Sequence, residues 1–426
     1  MPAVIRLIAV AMLVAAPCLD LPAQTTLSAP WDMNELRQPP QVQWLDESGP
    51  VQSLLYSGQA FAGHPTQVFA YFASPRTLAA SQASAKSGTT TADNPTGKFP
   101  AVVLVHGGGG TAFREWTELW AKRGYAAIAM DLAGQRPIEG ENAHQSEHRR
   151  PLTEGGPGQG DDEKFGSIDK PASEQWPYHA VANVILAHSL IRSFEDVDTE
   201  RTAVTGISWG GYLTCIVAGM DPRFKAAVPV YGCGFLYENS AWLSRFGQMS
   251  PSQRQRWIDL WDPSRYLPQV SMPILFVNGT NDFAYPLDSY MKSYAAVPAG
   301  DQVTKQLCIT VNMPHGHPAG WARHEIGWFI DHWLLDAPPL CEVGEPEVHA
   351  DQVTLQVTGQ QPAVSAELHY TTDVHELNKR SWHTTAAEVA GAQISAAVPP
   401  SQTTAWFLTV TDHRGGVVST QIQFAD

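Results

Sequence analysis

The sequence predicts an α/β protein: a mostly parallel sheet covered on both faces by helices, with a small all-β sandwich at the carboxyl end. Three observations carry this. Between Phe99 and Leu334, short β-branched runs alternate with helical stretches, the pattern of a parallel sheet between two helical layers. The runs themselves, such as Ala101-Val102-Val103-Leu104-Val105, are apolar without alternation, as strands buried on both faces are. Beyond Ala337-Pro338-Pro339 the pattern changes to period two, with turn residues between the runs.

At 426 residues the chain is long enough for two domains, and 43% hydrophobic with 16% charged residues is a globular composition. A formal charge of −15 excludes nucleic acid and anionic membrane surfaces as natural partners, because both need a basic face. Arg6 precedes an apolar run from Leu7 to Ala16, too short to span a bilayer but the size of a signal-peptide core. Residues 1–23 are therefore expected to be a leader, and the product a soluble protein, secreted or periplasmic, with no membrane contact in its mature form. Cys215, Cys233, Cys308 and Cys341 would then remain, enough for two bridges, of which one at most is expected, with buried free thiols as the alternative. They contain no Cys-x-x-Cys unit, so no zinc site is expected.

The elements follow in order. Thr25 to Pro50, rich in proline and polar residues, is expected to wrap an edge of the domain. Val51–Tyr56 and Gln67–Ala73 read as an edge hairpin joined through Gly58–Gly63, and Ala79–Gly97 as a loop. Ala101–Val105 is a buried strand, Thr111–Arg123 a helix stopped by Gly124, and Ala126–Met130 the next strand. Tyr178–Ser193 is a helix with Val181, Val184, Ile185 and Ile191 on one side, and Thr202–Thr205 a strand. Tyr212–Met220 is helical, and Ala226–Val230, Pro273–Val277 and Gln306–Val311 are three more strands. Trp321–Leu334 closes the unit as a helix. Two insertions interrupt the alternation: Leu132–Ala172, long, polar and glycine-rich, and a cap-like segment at about 235–269 carrying Trp242, Trp257 and Trp261. The expected division is a catalytic unit over 24–338 and an immunoglobulin- or fibronectin-like sandwich over 339–426, with strands Gln352–Val357, Ala366–Thr371, Gln393–Val398, Ala405–Thr411 and Gln421–Phe424.

The chemistry centres on Gly206-Ile207-Ser208-Trp209-Gly210-Gly211, between a strand and a helix. Small residues flanking a serine allow a turn sharp enough to expose its hydroxyl. A serine nucleophile needs a base, and the base an orienting group. In a sheet of this order both should follow the serine, each in the loop after a later strand. Asp282 fits the acid, in Asn278-Gly279-Thr280-Asn281-Asp282. Asn312-Met313-Pro314-His315-Gly316-His317 offers two bases: His315, with Gly316 behind it to let the loop turn, and His317 as the alternative. The glycine run His106-Gly107-Gly108-Gly109-Gly110 follows the Ala101–Val105 strand, where its amides can approach a substrate closely. An amide from Gly107, Gly108 or Gly109, with that of Trp209, would form an oxyanion hole. The run lacks both dinucleotide and P-loop spacing, so no cofactor is expected. His144, His148 and Asp161-Asp162-Glu163 read as a solvated loop rather than a metal site, and Asp131 and His179 as core or pocket-lining groups.

Glycine loop, serine elbow, aspartate and histidine, in that order over about residues 50–336, resemble the α/β-hydrolase superfamily. Val197-Asp198-Thr199-Glu200-Arg201-Thr202-Ala203-Val204-Thr205, Asp221-Pro222-Arg223-Phe224 and Met313-Pro314-His315-Gly316-His317 are similar to the bacterial acetylxylan esterase, dienelactone hydrolase and prolyl-oligopeptidase branch. The resemblance implies Ser208, Asp282 and His315 as a triad, and a small-molecule or polysaccharide ester, acetylated carbohydrate above all, as substrate. Prolyl-oligopeptidases carry a large β-propeller ahead of the hydrolase, whereas about 75 residues separate Ala23 from the Phe99 strand here. An esterase is therefore expected ahead of a peptidase acting on short peptides, and both ahead of a non-catalytic carbohydrate-binding protein.

Overall fold

A computed structural model describes residues 29–85, 97–138, 140, 142, 144–300 and 303–425. The expected leader lies outside the described residues. Nine strands build the central sheet: β1 (Val42–Asp46), β2 (Gln52–Phe61), β3 (His64–Ala73), β4 (Phe99–Val105), β5 (Ala126–Met130), β6 (Val197–Ile207), β7 (Ala226–Val230), β8 (Ile274–Gly279) and β9 (Lys305–Thr310). Their spatial order is β1-β2-β3-β5-β4-β6-β7-β8-β9; the first three join antiparallel, and every neighbour from β5 to β9 is parallel. The edge hairpin runs longer than expected because its turn is only Ala62-Gly63, both at positive φ (49° and 78°), the conformation that keeps two strands in register. Ahead of it, the segment expected to wrap an edge does so by supplying β1.

Helices cover both faces. Trp176–Arg192 and Trp209–Met220 pack side by side on one face, and Arg114–Lys122 and His324–Leu335 lie on the other. The latter pair is tied at its rim, where the Arg123 guanidinium and the Tyr125 hydroxyl (2.7 Å) share the Asp331 carboxylate. In the parallel strands every residue of β4, β5, β7 and β8 is buried, which is why none of them alternates in sequence.

The structure differs from the sequence reading at several points. Pro75–Ala85 is a helix, so Ala79–Ala85 is not the loop expected there, and the rest of that expected loop, up to Gly97, lies almost wholly outside the described residues; an Ala/Ser-rich helix has no apolar stripe to reveal it. The closing helix is two, His317–Trp321 and His324–Leu335, broken at Ala322-Arg323. The polar insertion holds a short hairpin, Gln135–Pro137 with Arg149–Pro151, and one π-helical turn, Asp162–Gly166, that buries Lys164 and Phe165. In the cap segment, Trp257 and Trp261 are wholly buried and belong to the core, while Trp242 stays half-exposed. Among the described residues Cys215, Cys233, Cys308 and Cys341 are free and buried.

From Glu342 on, the described residues form strands, turns and one 3-10 helical turn, Leu377–Lys379. One ladder pairs Gln352–Thr358 with Gln393–Ala397, another pairs Ala363–Thr371 with Ala405–Asp412, and His383–Ala390 joins the two. His383–Ala390 escapes sequence reading because it is mostly exposed and carries no apolar alternation. Val417–Ser419 continues the second ladder and meets β9 at Leu307↔Ser419, so the β-rich region covers the edge of the central sheet.

Candidate active site

The register of the parallel strands lines up their carboxyl ends: Val105 opposes Gly206, Ile207 opposes Val230, Val277 opposes Val230, and Gly279 opposes Thr310. Loops leaving these ends must therefore converge, as they do at the carboxyl edge of open α/β sheets. Ser208 is the first residue past β6 and holds φ 58°, ψ −118°, a region that costs a non-glycine residue about 1–3 kcal/mol. Its neighbours over-determine the turn. The Ser208 amide donates to Val230 at 2.8 Å. A Cβ on Gly206 would strike the Gly210 carbonyl, and one on Gly210 would strike the carbonyl of Val105. The flanking glycines are thus required by close backbone approach.

The Ser208 hydroxyl donates to His315 Nε2 at 3.0 Å, and His315 Nδ1 donates to Asp282 Oδ2 at 2.6 Å. Asp282 is 3% exposed, and its other oxygen accepts the amides of Ala284 (2.9 Å) and Tyr285 (2.8 Å). The carboxylate is thereby fixed from behind while one oxygen faces the ring. Tyr231 stacks on His315 with centroids 4.4 Å apart, and its hydroxyl donates to the Pro314 carbonyl at 2.7 Å, holding the histidine loop.

The second histidine has a different place. His317 Nε2 accepts the Gly107 amide at 2.9 Å, and its ring packs 4.7 Å from Phe113. Burial is the largest cause that pushes His317 down to about 3, so it stays neutral with Nε2 as acceptor. That lone pair is spent on the glycine loop, not on Ser208, and the Gly107 amide is spent on it in turn. The Gly107 amide, one of the three candidates for the hole, is thus already paired with His317. The amides of Gly108, Gly109 and Trp209 have no acceptor among the described residues. Gly109 sits at φ 66°, and Gly108 lies against the Trp209 indole.

His106 locks the base of this loop. Leu132 donates to its Nε2 at 2.9 Å, which puts the proton on Nδ1, and Nδ1 donates to the Gly107 carbonyl at 2.7 Å. Burial pushes His106 down to about 3, in agreement with a neutral ring. Asp131 accepts Thr111 Oγ1 (2.7 Å) and the amides of Ala133 and Gln135 (both 2.8 Å), and His179 Nε2 meets the Ser173 carbonyl at 2.8 Å. Both residues order the polar insertion. His144 stacks on Phe113 at 4.6 Å and pairs with Glu115 at 2.6 Å, while His148 Nδ1 meets the Asn142 carbonyl at 3.0 Å. Among the described residues no group of His, Cys, Asp and Glu is arranged to hold a metal ion.

Sequence reasoning missed two groups beside the serine. Lys164 is 6% exposed, with its ammonium 4.7 Å from the Trp209 ring centroid and 5.6 Å from that of Trp176; burial pushes it down to about 8. Tyr285 lies three residues past Asp282, wholly buried. A lysine in a polar glycine-rich loop carries no sequence signal of burial; a tyrosine in the acid's own loop could have been singled out by position.

Strand order, serine elbow and convergent loops together decide the fold. The chain has the α/β-hydrolase fold. Residues 79–243 of this α/β-hydrolase match the acetyl xylan esterase family AXE1. Its fold is similar to that of the acetyl xylan esterase from Paenibacillus sp. R4, with a TM-score of 0.52 and 21% identity, covering 71% of this chain and 92% of that one. Two curated relatives match as well. The uncharacterized peptidase YuxL of Bacillus subtilis is 25% identical over 262 residues, 55% of this chain and 35% of its own. The acetyl esterase Axe7A of Xylanibacter ruminicola is 23% identical over 212 residues, 47% of this chain and 46% of its own. The matched region spans less than half the length of either relative. Among the described residues no helix is long and apolar enough to cross a membrane.

Proposed function

We propose that this α/β-hydrolase is a serine carboxylic ester hydrolase that removes acetyl groups from carbohydrate, acetylated xylan being the favoured polymer. The observation that carries the reading is the Ser208–His315–Asp282 relay at 3.0 and 2.6 Å. Ser208 Oγ attacks the acyl carbon as His315 Nε2 takes its proton, and the carbonyl π pair moves onto oxygen. The proton then passes from His315 to the leaving alkoxide, and water releases the acid by the same steps in reverse order. Asp282 holds Nδ1–H and stabilises the imidazolium. The amides of Trp209 and Gly108 are the donors assigned to the oxyanion, and His317 keeps Gly107 in place beneath them. The acetyl and carbohydrate specificity is supported by the similarity to the acetyl xylan esterase family and to Axe7A. The similarity to YuxL favours a second reading, a serine peptidase acting on short peptides. Acetate release from acetylated xylan and from a simple acetate ester, assayed beside a dipeptide anilide with wild type and Ser208→Ala, separates them. Serine-dependent acetate release without anilide cleavage is expected; anilide cleavage without acetate release would replace the esterase reading with the peptidase.

A further inference from the structure

Tyr285 stands against the reacting serine with a hydroxyl that the triad does not use. Its side chain is wholly buried, yet the hydroxyl has no hydrogen-bond partner among the described residues. An unbonded buried hydroxyl is destabilising, and folded chains keep few of them without a use.

Its position is built. The Tyr285 amide donates to Asp282 Oδ1 at 2.8 Å, and its carbonyl accepts Asn278 Nδ2 at 3.0 Å, so the main chain is pinned from both sides. The ring lies 12° from parallel to His315 with centroids 6.4 Å apart, and packs 5.3 Å from Trp242. Held this way, the hydroxyl lies close enough to Ser208 for the two side chains to interact, but outside hydrogen-bonding geometry. Burial keeps the phenol protonated far above its ordinary range, so the group can donate and cannot act as a base.

We propose that the Tyr285 hydroxyl is a catalytic hydrogen-bond donor, held unpaired in the free protein and given to an oxygen of the ester once the acyl carbon is bonded to Ser208. The proposal rests on the serine hydrolase reading above. A donor with no partner before attack breaks no bond when charge develops, so its hydrogen bond favours the tetrahedral species over the bound ester. No proton is transferred to or from Tyr285. The Oγ–C bond forms, the π pair moves to oxygen, and the phenol only shares its hydrogen.

The test is Tyr285→Phe, which keeps the ring and removes only the oxygen. With p-nitrophenyl acetate, kcat is expected to fall about 10²-fold, the usual loss for one donor to a developing oxyanion, with KM within about twofold. The melting temperature of the free protein should hold or rise, because an unpaired buried hydroxyl has been removed. A kcat within about threefold of wild type would overturn the proposal. So would a fall in melting temperature, which would show that the hydroxyl already has a partner in the free protein. Labelling with a fluorophosphonate is run alongside. Wild type that is not labelled at Ser208, or Ser208→Ala that stays active, would sink the serine reading itself, whereas an inert Ser208→Ala with a fully active Tyr285→Phe would sink only this proposal.

Discussion

Asp282→Asn is the perturbation whose consequence is most closely fixed by the geometry. Asp282 has two separate tasks: Oδ1 closes the turn by accepting the Ala284 and Tyr285 amides, and Oδ2 accepts His315 Nδ1–H at 2.6 Å. An asparagine can keep its carbonyl oxygen on the two amides, so the turn survives and the loss of stability should stay near 1 kcal/mol. Its NH2 then faces His315 Nδ1. That nitrogen must become an acceptor, the ring proton moves to Nε2, and Nε2 can no longer take the proton of Ser208. A wrong tautomer in such a relay lowers kcat by about 10⁴-fold, equivalent to about 5.5 kcal/mol of transition-state stabilisation. Turnover of p-nitrophenyl acetate and thermal melting, measured on the same preparation, are the assay. Asp282→Ala is the poorer choice because it also abandons the two amides. A kcat for Asp282→Asn within about tenfold of wild type, in a protein that melts normally, would refute the assignment of Asp282 and His315 as acid and base.

Ser208→Gly should be inactive yet more stable than the equally inactive Ser208→Ala by about 1 kcal/mol, since glycine relieves the strain at φ 58°; chemical denaturation compares the two. Gly210→Ala should fail to give soluble folded protein, because the new Cβ collides with the Val105 carbonyl, backbone against backbone; solubility and circular dichroism check it. Ending the chain after Pro338 should produce aggregation, measured by light scattering, because β9 loses Val417–Ser419 and becomes an exposed edge. Stability should fall as pH drops from 6.5 toward 4. Burial holds His106 and His317 down to about 3 and His188 and His369 to about 4, so in that window the unfolded chain binds protons that the folded chain refuses. Melting temperature against pH, with His369→Gln expected to flatten the slope, measures this.

The strands and the elbow were legible because their physics is local. A strand buried on both faces must be apolar at every position, and a turn as tight as the one at Ser208 must be flanked by glycine, so β4, β5 and the Gly206–Gly211 segment declare themselves. Parallel register then carries Asp282 and His315 to the serine without any further sequence signal. What stayed hidden depends on contacts far apart in the chain. Lys164 is buried because Trp176 and Trp209 close over it. Val417–Ser419 is too short to show a period, and its partner lies more than a hundred residues earlier.

The two histidines of Pro314-His315-Gly316-His317 show where sequence reasoning stops and why. Both follow β9, and both rings reach the end of the sheet where Ser208 sits. Which one serves as base is decided by what each nitrogen already holds. His315 has a carboxylate on Nδ1, which fixes the proton there and leaves Nε2 open toward Ser208. His317 has its Nε2 lone pair filled by the Gly107 amide. The same bond occupies the Gly107 amide and ties the glycine loop to the histidine loop, two segments that sequence separates by 210 residues. His317 therefore belongs to the site as the brace of its amide wall. His317→Gln, whose side-chain oxygen can accept the same amide, should preserve most of the turnover that His317→Ala loses. If the two variants are equally active, Gly107 does not need the brace, and the division of labour between the histidines is not the one drawn from these bonds.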